Sequence, residues 1–358
     1  MKLFKYTLLL FFMSFSLIAN TKKKHEKTKT IKKQYKVSSN ATFFVSNKYG
    51  DVHVTTWDKN VIDITVKIKV TGGDVDKVED KLNSITIDFE GNNSLVEART
   101  RIESIKSNWS WWGNSNNVSY KINYYVNMPK TNNADLNNRY GNIEIDVLEG
   151  KANLNCDYGN IYAEKLLNNY NSIELDYCGN SEIEYMKSGT VNADYSKLEI
   201  GSSEKIKSNI DYTTLKVGKT KNIDFNSDYG SITINEADNI TGNSDYAGMK
   251  IGTVYKNLKI NTDYGSIKVR NLAKGFEDVT IDGSYAGIKI ETPSDNNFNF
   301  IINIGYGGFN YPDDKVEIYK SIKKTTKKYY EGSFGNKNTS SNINIKSSYG
   351  SVSIKTNN

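Results

Sequence analysis

The chain has 358 residues, of which 37% are hydrophobic and 25% charged, so it can bury the core of one large domain or two ordinary ones. Two histidines and two cysteines argue against a zinc site, a Ser-His-Asp triad and a disulfide-stapled scaffold. The net charge is +6, but residues 1–36 contain ten lysines and one acid, so residues 37–358 sum to −3, which argues against nucleic-acid binding.

The first nineteen residues have the layout of a secretory signal peptide. Lys2 and Lys5 precede an apolar run from Tyr6 to Ile18, which ends at the small residue Ala19. The run is too short to anchor the chain in a bilayer. We therefore predict cleavage after Ala19, no transmembrane helix in the mature chain, and export to the periplasm, the outer-membrane surface or the extracellular space.

Residues 20–36 carry eight lysines. A block of like charge cannot collapse, which predicts a basic flexible segment. The alternative is attachment to an anionic surface such as phospholipid headgroups or glycans.

Residues 37–128 predict a β-rich capping region, because a stack of repeats has open ends that need covering. Strands are expected at Phe43–Trp57, Val61–Val70, Ile85–Phe89 and Ser119–Asn127. Asp74–Leu82 has the apolar spacing of a short helix. The loop Ser107–Asn117 contains Trp109, Trp111 and Trp112, which either contact a sugar or membrane surface or pack back over the first coils.

One pattern recurs from residue 129 onward: a tyrosine, a small residue, a spacer, and two apolar residues separated by a polar one. Successive tyrosines lie 17 to 21 residues apart, except for 43 residues before the last. Tyr177 opens an irregular copy, for which Tyr170 offers a rival register. The repeat tyrosines are Tyr140, Tyr158, Tyr177, Tyr195, Tyr212, Tyr229, Tyr246, Tyr264, Tyr285, Tyr306 and Tyr349.

Each repeat has two short stretches of period-two alternation and no room for a crossover helix, so the repeats must stack as parallel strands. The sequence therefore predicts an all-β fold in which residues 129–358 form a right-handed parallel β-helix, or β-solenoid, of about 10–11 coils. The 43-residue interval holds a lysine-rich segment at 311–338, predicted to be a loop or hairpin at the side of the stack.

The alternation places each tyrosine on the inward face. Counting back from Tyr229, Ile223 and Phe225 share its parity. This predicts a structural column of buried tyrosine rings, with the following glycine allowing a sharp bend. The alternative, an exposed aromatic ladder that binds sugars, requires the opposite parity.

Aspartate directly precedes the tyrosine in seven consecutive repeats. The carboxylates either cap backbone N–H groups at the corner or form a weak Ca²⁺ ribbon, and no other cofactor is predicted. These residues are Asp157, Asp176, Asp194, Asp211, Asp228, Asp245 and Asp263.

The two cysteines, Cys156 and Cys178, lie in neighbouring coils but at different positions along the coil. We expect free thiols because this offset does not suit disulfide geometry, and we expect Cys156 to be buried.

Four stretches together resemble the bacterial putative-adhesin family, β-helical proteins of unknown function related to the head domains of auto-transporter adhesins. They are FFVSNKYGDVHVTTW (Phe43–Trp57), YVNMPK (Tyr125–Lys130), the YGNIEI-type repeats, and YYEGSFG leading to INIKSSYGSVSI (Tyr329–Ile354). The resemblance covers nearly everything after residue 36. It implies an exported, non-enzymatic, adhesin-like protein and brings no catalytic residues.

We therefore expect a non-catalytic adhesin-like or envelope structural protein with an envelope, surface or glycan partner. No repeat stands out with the charged cluster that polysaccharide cleavage would need, so no enzyme activity is predicted. The alternative is a polysaccharide-binding or polysaccharide-cleaving β-helix.

Overall fold

The computed structural model describes residues 24–103 and 118–357, and this part of the chain is all-β, as predicted. The segment predicted to be a signal peptide, residues 1–19, and the three loop tryptophans, Trp109, Trp111 and Trp112, lie outside the described residues. Within the described ranges there are 26 strands and one helix.

The N-terminal part contains the helix α1 (Val75–Asn83) and seven strands. These strands are β1 (His25–Lys36), β2 (Thr42–Lys48), β3 (Val52–Trp57), β4 (Val61–Gly72), β5 (Ile85–Gly91), β6 (Leu95–Ile102) and β7 (Val118–Pro129).

The middle of the chain carries the regular repeats. In the longest of its strands, the two strand segments between successive tyrosines are continuous. These strands are β8 (Asn133–Arg139), β9 (Ile143–Leu148), β10 (Ala152–Asp157), β11 (Ile161–Leu166), β12 (Asn171–Asp176), β13 (Ser181–Asp194), β14 (Lys197–Asp211), β15 (Thr214–Asp228), β16 (Ser231–Asp245), β17 (Gly248–Asp263), β18 (Ser266–Leu272), β19 (Asp278–Ser284) and β20 (Gly287–Pro293).

The C-terminal part holds six strands. They are β21 (Phe298–Gly305), β22 (Phe309–Asn310), β23 (Val316–Lys323), β24 (Lys327–Phe334), β25 (Asn342–Ser348) and β26 (Val352–Asn357).

Strands of neighbouring repeats pair in parallel and in register, so equivalent residues stack into columns. Leu215 lies in register with Leu198 in the repeat before and Ile232 in the repeat after, and all three are buried. Removing such a side chain from water stabilises the fold by roughly 1.5–3 kcal/mol. The alternating apolar residues of the sequence therefore form one continuous hydrophobic core that runs along the stack.

Side chains within a column are matched in size. Phe225 is in register with Gly242 of the next repeat, and both are buried. A Cβ placed on Gly242 would lie 2.1 Å from Cζ of the Phe225 ring. The glycine therefore leaves the space into which this phenylalanine packs.

The short helix was predicted correctly. Asp74 is its N-cap, and the carboxylate accepts hydrogen bonds from the backbone N–H groups of Asp76 and Lys77. Val78 on the inner face is fully buried against the neighbouring strands.

The lysine-rich segment before residue 37 is not wholly flexible, contrary to our expectation for residues 20–36. His25–Lys36 forms β1, which pairs antiparallel with β4 along its whole length. Ile31 and Tyr35 pack against the core, and Lys27 forms an ion pair with Glu79 at 2.5 Å. The contacts of Ile31 and Tyr35 outweigh the charge of HEKTKTIKKQYK, whose lysines contact Glu79, the Phe89 ring or water.

The boundary between the cap and the repeats also differs from the prediction at residues 128 and 129. Tyr49, within residues 37–128, has the same backbone conformation as the repeat tyrosines and stacks on Tyr140. β2 and β3 therefore form a complete repeat, and the stack has twelve tyrosine levels in the described residues instead of 10–11.

The lysine-rich segment at 311–338 is a hairpin of β23 and β24, but it lies across the end of the stack. β24 pairs antiparallel with β21, and β23 continues the sheet beyond β24. Its exposed lysines leave an edge that resists pairing with other chains.

Repeats at both ends are stacked in a different order from the sequence. β25 lies between β19 and β21, and β26 lies between β20 and β22, so the last repeat is inserted beneath its predecessor. At the other end, β2 lies between β6 and β8, and β3 lies between β7 and β9. At the N-terminal end β6 and β7 cover the first repeat and pair in turn with the antiparallel strands β5 and β4. At the C-terminal end the repeat of β21 and β22 covers the inserted one, and β24 pairs antiparallel with β21.

Candidate functional site

Twelve tyrosines mark one corner of the stack, and each adopts a left-handed backbone conformation. Their φ angles lie between 49° and 66°, and every non-glycine residue with positive φ in the described ranges is one of these tyrosines. The N–H of each bonds along the stack, as from Tyr212 to the carbonyl oxygen of Asp228 at 3.0 Å. This conformation costs a residue with a Cβ roughly 1–2 kcal/mol, so another interaction must offset that cost.

The rings point outward, and our prediction of an inward column was wrong. Tyr229 is 48% exposed, whereas Ser227 is 2% exposed. The physical reason is the left-handed residue itself, which interrupts the alternation so that Asp228 and Tyr229 both face water. The same holds for Tyr177, whose repeat joins the stack normally, while the rival Tyr170 lies outside the column.

The exposed rings stack face to face along the axis, and we call this row the tyrosine ladder. Adjacent centroids are 4.6–5.1 Å apart, and from Tyr158 to the last ring the interplanar angles are at most 5°. In axial order its members are Tyr49, Tyr140, Tyr158, Tyr177, Tyr195, Tyr212, Tyr229, Tyr246, Tyr264, Tyr285, Tyr349 and Tyr306.

Stacking of this kind contributes about 0.5–1.5 kcal/mol per pair beyond burial, which offsets much of the backbone strain. It also decides what the ladder presents to solvent. Within the ladder each ring is covered on both faces by its neighbours and exposes its edge and hydroxyl group, whereas the terminal Tyr306 stacks on Tyr349 with one face only. At the N-terminal end, Tyr120 closes the ladder edge-on against Tyr49 at 5.1 Å.

The seven aspartates form a parallel row beside the ladder, which we call the aspartate ladder. Asp211 is in register with Asp194 on one side and Asp228 on the other, and the same pairing continues through the row. Partial burial, and then the charges of Asp157 and Asp194, raise the pKa of Asp176. The tyrosine and aspartate ladders together are the binding stripe.

The carboxylates do not cap the corner as one of our alternatives proposed. In residues 24–103 and 118–357, none of the seven accepts a hydrogen bond from a corner N–H; Asp157 instead faces Arg139 at 3.7 Å. The same ranges contain no group of three or more His, Cys, Asp or Glu side chains placed to hold a metal ion. A Ca²⁺ ribbon at these aspartates thus remains a prediction without a built site.

Small polar side chains stabilise the corner from inside. The hydroxyl of Ser196 donates to the carbonyl of Asp194 at 2.7 Å, and that of Thr213 donates to the carbonyl of Asp211 at 2.9 Å. At the corner of Tyr349, where glycine follows the tyrosine, Ser347 donates instead to the carbonyl oxygen of Gly350 at 3.1 Å, whereas the equivalent hydroxyls of Ser227 and Thr262 have no hydrogen-bond partner. Side chains therefore pair buried carbonyls at some corners and not at others.

The glycine after the tyrosine serves close packing more than bending. A Cβ on Gly230 would lie 2.3 Å from the carbonyl oxygen of Thr213 in the preceding repeat. The tyrosine supplies the positive φ, and the glycine leaves room for the neighbouring backbone.

Both cysteines are free and Cys156 is buried, as predicted, and Cys178 is buried as well. Their thiols are nevertheless close to one corner, where Cys178 Sγ donates to the carbonyl oxygen of Cys156 at 3.1 Å. A hydrogen bond with Cys178, followed by burial, raises the pKa of Cys156. The same hydrogen bond lowers the pKa of Cys178, so it is the complete burial of both thiols that makes the pair unreactive in the folded state.

Sequence reasoning missed Tyr49 and the outward orientation of the ladder. The first was visible, because YGDVHV at residue 49 matches the repeat pattern as well as YGNIEI does. The second required the backbone angle of the tyrosines.

In the described residues, no helix is long and apolar enough to cross a membrane.

Neither a family model nor a curated protein sequence matches the chain. Among solved structures, a putative cell adhesion protein from Clostridium sporogenes is 13% identical, with 92% of this chain and 100% of that one covered, at a TM-score of 0.19. A putative lipid binding protein from Parabacteroides distasonis is 14% identical over 92% and 97%, with a TM-score of 0.34. A putative adhesin from Bacteroides fragilis is 13% identical over 92% and 97%, with a TM-score of 0.23.

The resemblance of the sequence to the putative-adhesin family predicts structural neighbours that are named as adhesins. Two of these three proteins carry such a name.

Proposed function

We propose that this chain is an exported, non-catalytic, adhesin-like protein built as a right-handed β-solenoid. The binding stripe carries this proposal, because it repeats one chemical unit, a phenol hydroxyl beside a carboxylate, along the stack. Many identical weak sites in a row suit a partner that repeats as well, and their effects add through effective concentration.

The chemistry of the stripe selects the class of partner. Ring faces are covered by their neighbours, so sugar rings cannot stack on them as they do in open aromatic sites. The exposed groups are hydroxyls and carboxylates, which accept hydrogen bonds from amines and attract positive charge. A polysaccharide with free amino groups offers identical cationic units in series, whereas the side chains of a peptide vary along its length.

The test compares binding of the mature protein to chitosan oligosaccharides and to fully acetylated chitin oligosaccharides. We expect binding to chitosan only, with an affinity that falls as salt rises. A fourfold variant in the middle of the stripe, with Asp194, Asp211, Asp228 and Asp245 changed to Asn, should bind at least about tenfold more weakly, because each lost contact is charge-assisted.

The matched control removes four carboxylates away from the stripe. Asp224→Asn, Asp238→Asn, Glu204→Gln and Glu277→Gln change the net charge by the same amount and should leave binding unchanged. An equal loss of affinity in both variants would show that the overall charge of the protein, and not the binding stripe, determines binding. Release of soluble products from chitosan would favour the polysaccharide-cleaving alternative.

Export is tested separately on cells. We expect the protein from the cell envelope to begin near Asn20, and added protease to degrade it on intact cells if it lies at the surface. Retention of Met1 in the exported protein would contradict the proposed signal peptide.

A further inference from the structure

A second surface, unrelated to the binding stripe, has opposite charges at its two ends. It is the outer side of the strands that follow the ladder tyrosines, and we call it the graded face. One column of this face contains, in axial order, His53, Glu144, Tyr162, Glu182, Glu199, Lys216, Thr233, Lys250, Lys268 and Lys289. The sign of the charge changes once beyond His53, between Glu199 and Lys216.

The N-terminal half of the graded face is acidic and concave. A hollow of about 450 Å³ is lined by Glu144, Asp146, Glu164, Glu182 and Glu184, among others. In the described residues, the ion pairs made by this half are those of His53 with Glu144 at 2.7 Å and of Lys216 with Glu199 at 3.7 Å. Glu164, Glu182 and Glu184 are exposed and have no ion-pair partner within these ranges.

The C-terminal half is basic. Lys250, Lys268, Arg270, Lys289 and Lys355 project from it, against one acid, Glu291. A hydrogen bond from Lys289, together with the charges of Lys268 and Lys355, holds the pKa of Glu291 below its usual range. Five cations around one carboxylate leave a clear excess of positive charge on this half.

Three glycines lie in the middle of the graded face, beside the column that contains Glu199 and Lys216. Gly201, Gly218 and Gly252 occupy equivalent positions in their repeats, and a Cβ on any of them would lie 2.1–2.6 Å from a carbonyl oxygen of the preceding repeat. At these three levels no side chain projects beside that column.

We propose that the graded face binds a second copy of this chain, antiparallel, about a two-fold axis near Glu199 and Lys216. Such a rotation places the basic half of each copy over the acidic half of the other, so the lysines enter the acidic hollow. A surface whose charge reverses halfway along is complementary to itself under this operation and repels itself in the parallel arrangement.

The dimensions are adequate for a stable dimer. Ten levels at about 4.8 Å give a face roughly 45 Å long, and its strands make it roughly 15–20 Å wide. The area is therefore about 700–900 Å² per copy, close to the roughly 800 Å² per partner of a standard interface.

Sedimentation velocity of the mature protein tests the proposal. We expect a dimer at about 50 mM salt that dissociates at about 500 mM, because the interface is electrostatic. Two charge-reversed variants, Lys250→Glu with Lys268→Glu, and Glu164→Lys with Glu184→Lys, should each be monomeric alone. Mixed together, they should form a 1:1 heterodimer, since the unchanged acidic half of one variant then meets the unchanged basic half of the other, and the introduced glutamates meet the introduced lysines.

The control places the same two reversals on the opposite flank, as Lys207→Glu with Lys259→Glu, where both lysines are exposed. This variant should dimerise like the parent, and circular dichroism should show that every variant is folded. A parent that is monomeric at about 100 μM in low salt, or reversed variants that do not associate when mixed, would overturn the proposal.

Discussion

The packing of Phe225 against Gly242 allows a sharp test of the column geometry. Changing Gly242 to Ala introduces a Cβ that would lie 2.1 Å from the ring, so the ring or the backbone must shift. Overpacking of this kind costs about 1–3 kcal/mol of stability. Changing Phe225 to Ala alone removes a large buried side chain and should cost about 3–5 kcal/mol.

The informative variant combines both changes. Without the ring, the methyl group introduced by Gly242→Ala occupies vacated space, and alanine is better in a strand than glycine by about 0.5–1 kcal/mol. The effect of Gly242→Ala should therefore change sign between the two backgrounds. This corresponds to a coupling energy of about 2–3 kcal/mol, near the upper end for residues in contact.

Urea unfolding of the parent, the two single variants and the double variant, followed by far-ultraviolet circular dichroism, gives the coupling energy of this double-mutant cycle directly. Gly287→Ala serves as the control, because a Cβ at Gly287 meets nothing within 4 Å, and its effect should be small and equal in both backgrounds. If Gly242→Ala is equally destabilising with and without the Phe225 ring, the two residues are not packed as described and the register of this column is wrong.

Three further outcomes follow from the corner. Tyr229→Val should destabilise the protein about 1–2 kcal/mol more than Tyr229→Gly in urea unfolding, because glycine adopts a φ of 51° freely and a β-branched residue does not; equal losses would contradict a left-handed corner. Folding raises the pKa of Asp176, so its ionised form opposes folding: Asp176→Asn should raise the melting temperature at neutral pH, and this gain should disappear as the pH falls below the pKa of the unfolded chain. Cys156 and Cys178 should resist Ellman's reagent in the native protein and react only on denaturation, as measured by the absorbance of the released thiolate; rapid labelling of the folded state would show that the corner opens.

Much of the architecture could be predicted from alternation alone. The strands, the helix after Asp74 and the parallel stacking all follow from which residues are apolar, because one face of each strand must be buried. Alternation failed at the tyrosines, where the backbone leaves the extended region and the parity count no longer applies. It gives little signal in β1, where three lysines share the parity of Ile31 and Tyr35.

The order of the repeats at the two ends could not be read from the sequence. Repeats of one pattern offer one another the same apolar alternation and the same spacing, so any repeat can pair with any other. Specific side chains then decide between neighbours, as where Phe298 of β21 and Phe334 of β24 stack at 4.9 Å.

The insertion of β25 between β19 and β21 separates the order of synthesis from the order of assembly. β21 leaves the ribosome before β25, and at that moment the edge of β19 is open to it. Phe300 and Ile302 could dock where Ile343 and Ile345 belong, and closing the shorter loop has the smaller entropic cost. The early segment must then either wait or be displaced, so in both cases the last step at this end of the molecule is the entry of β25 beside β19.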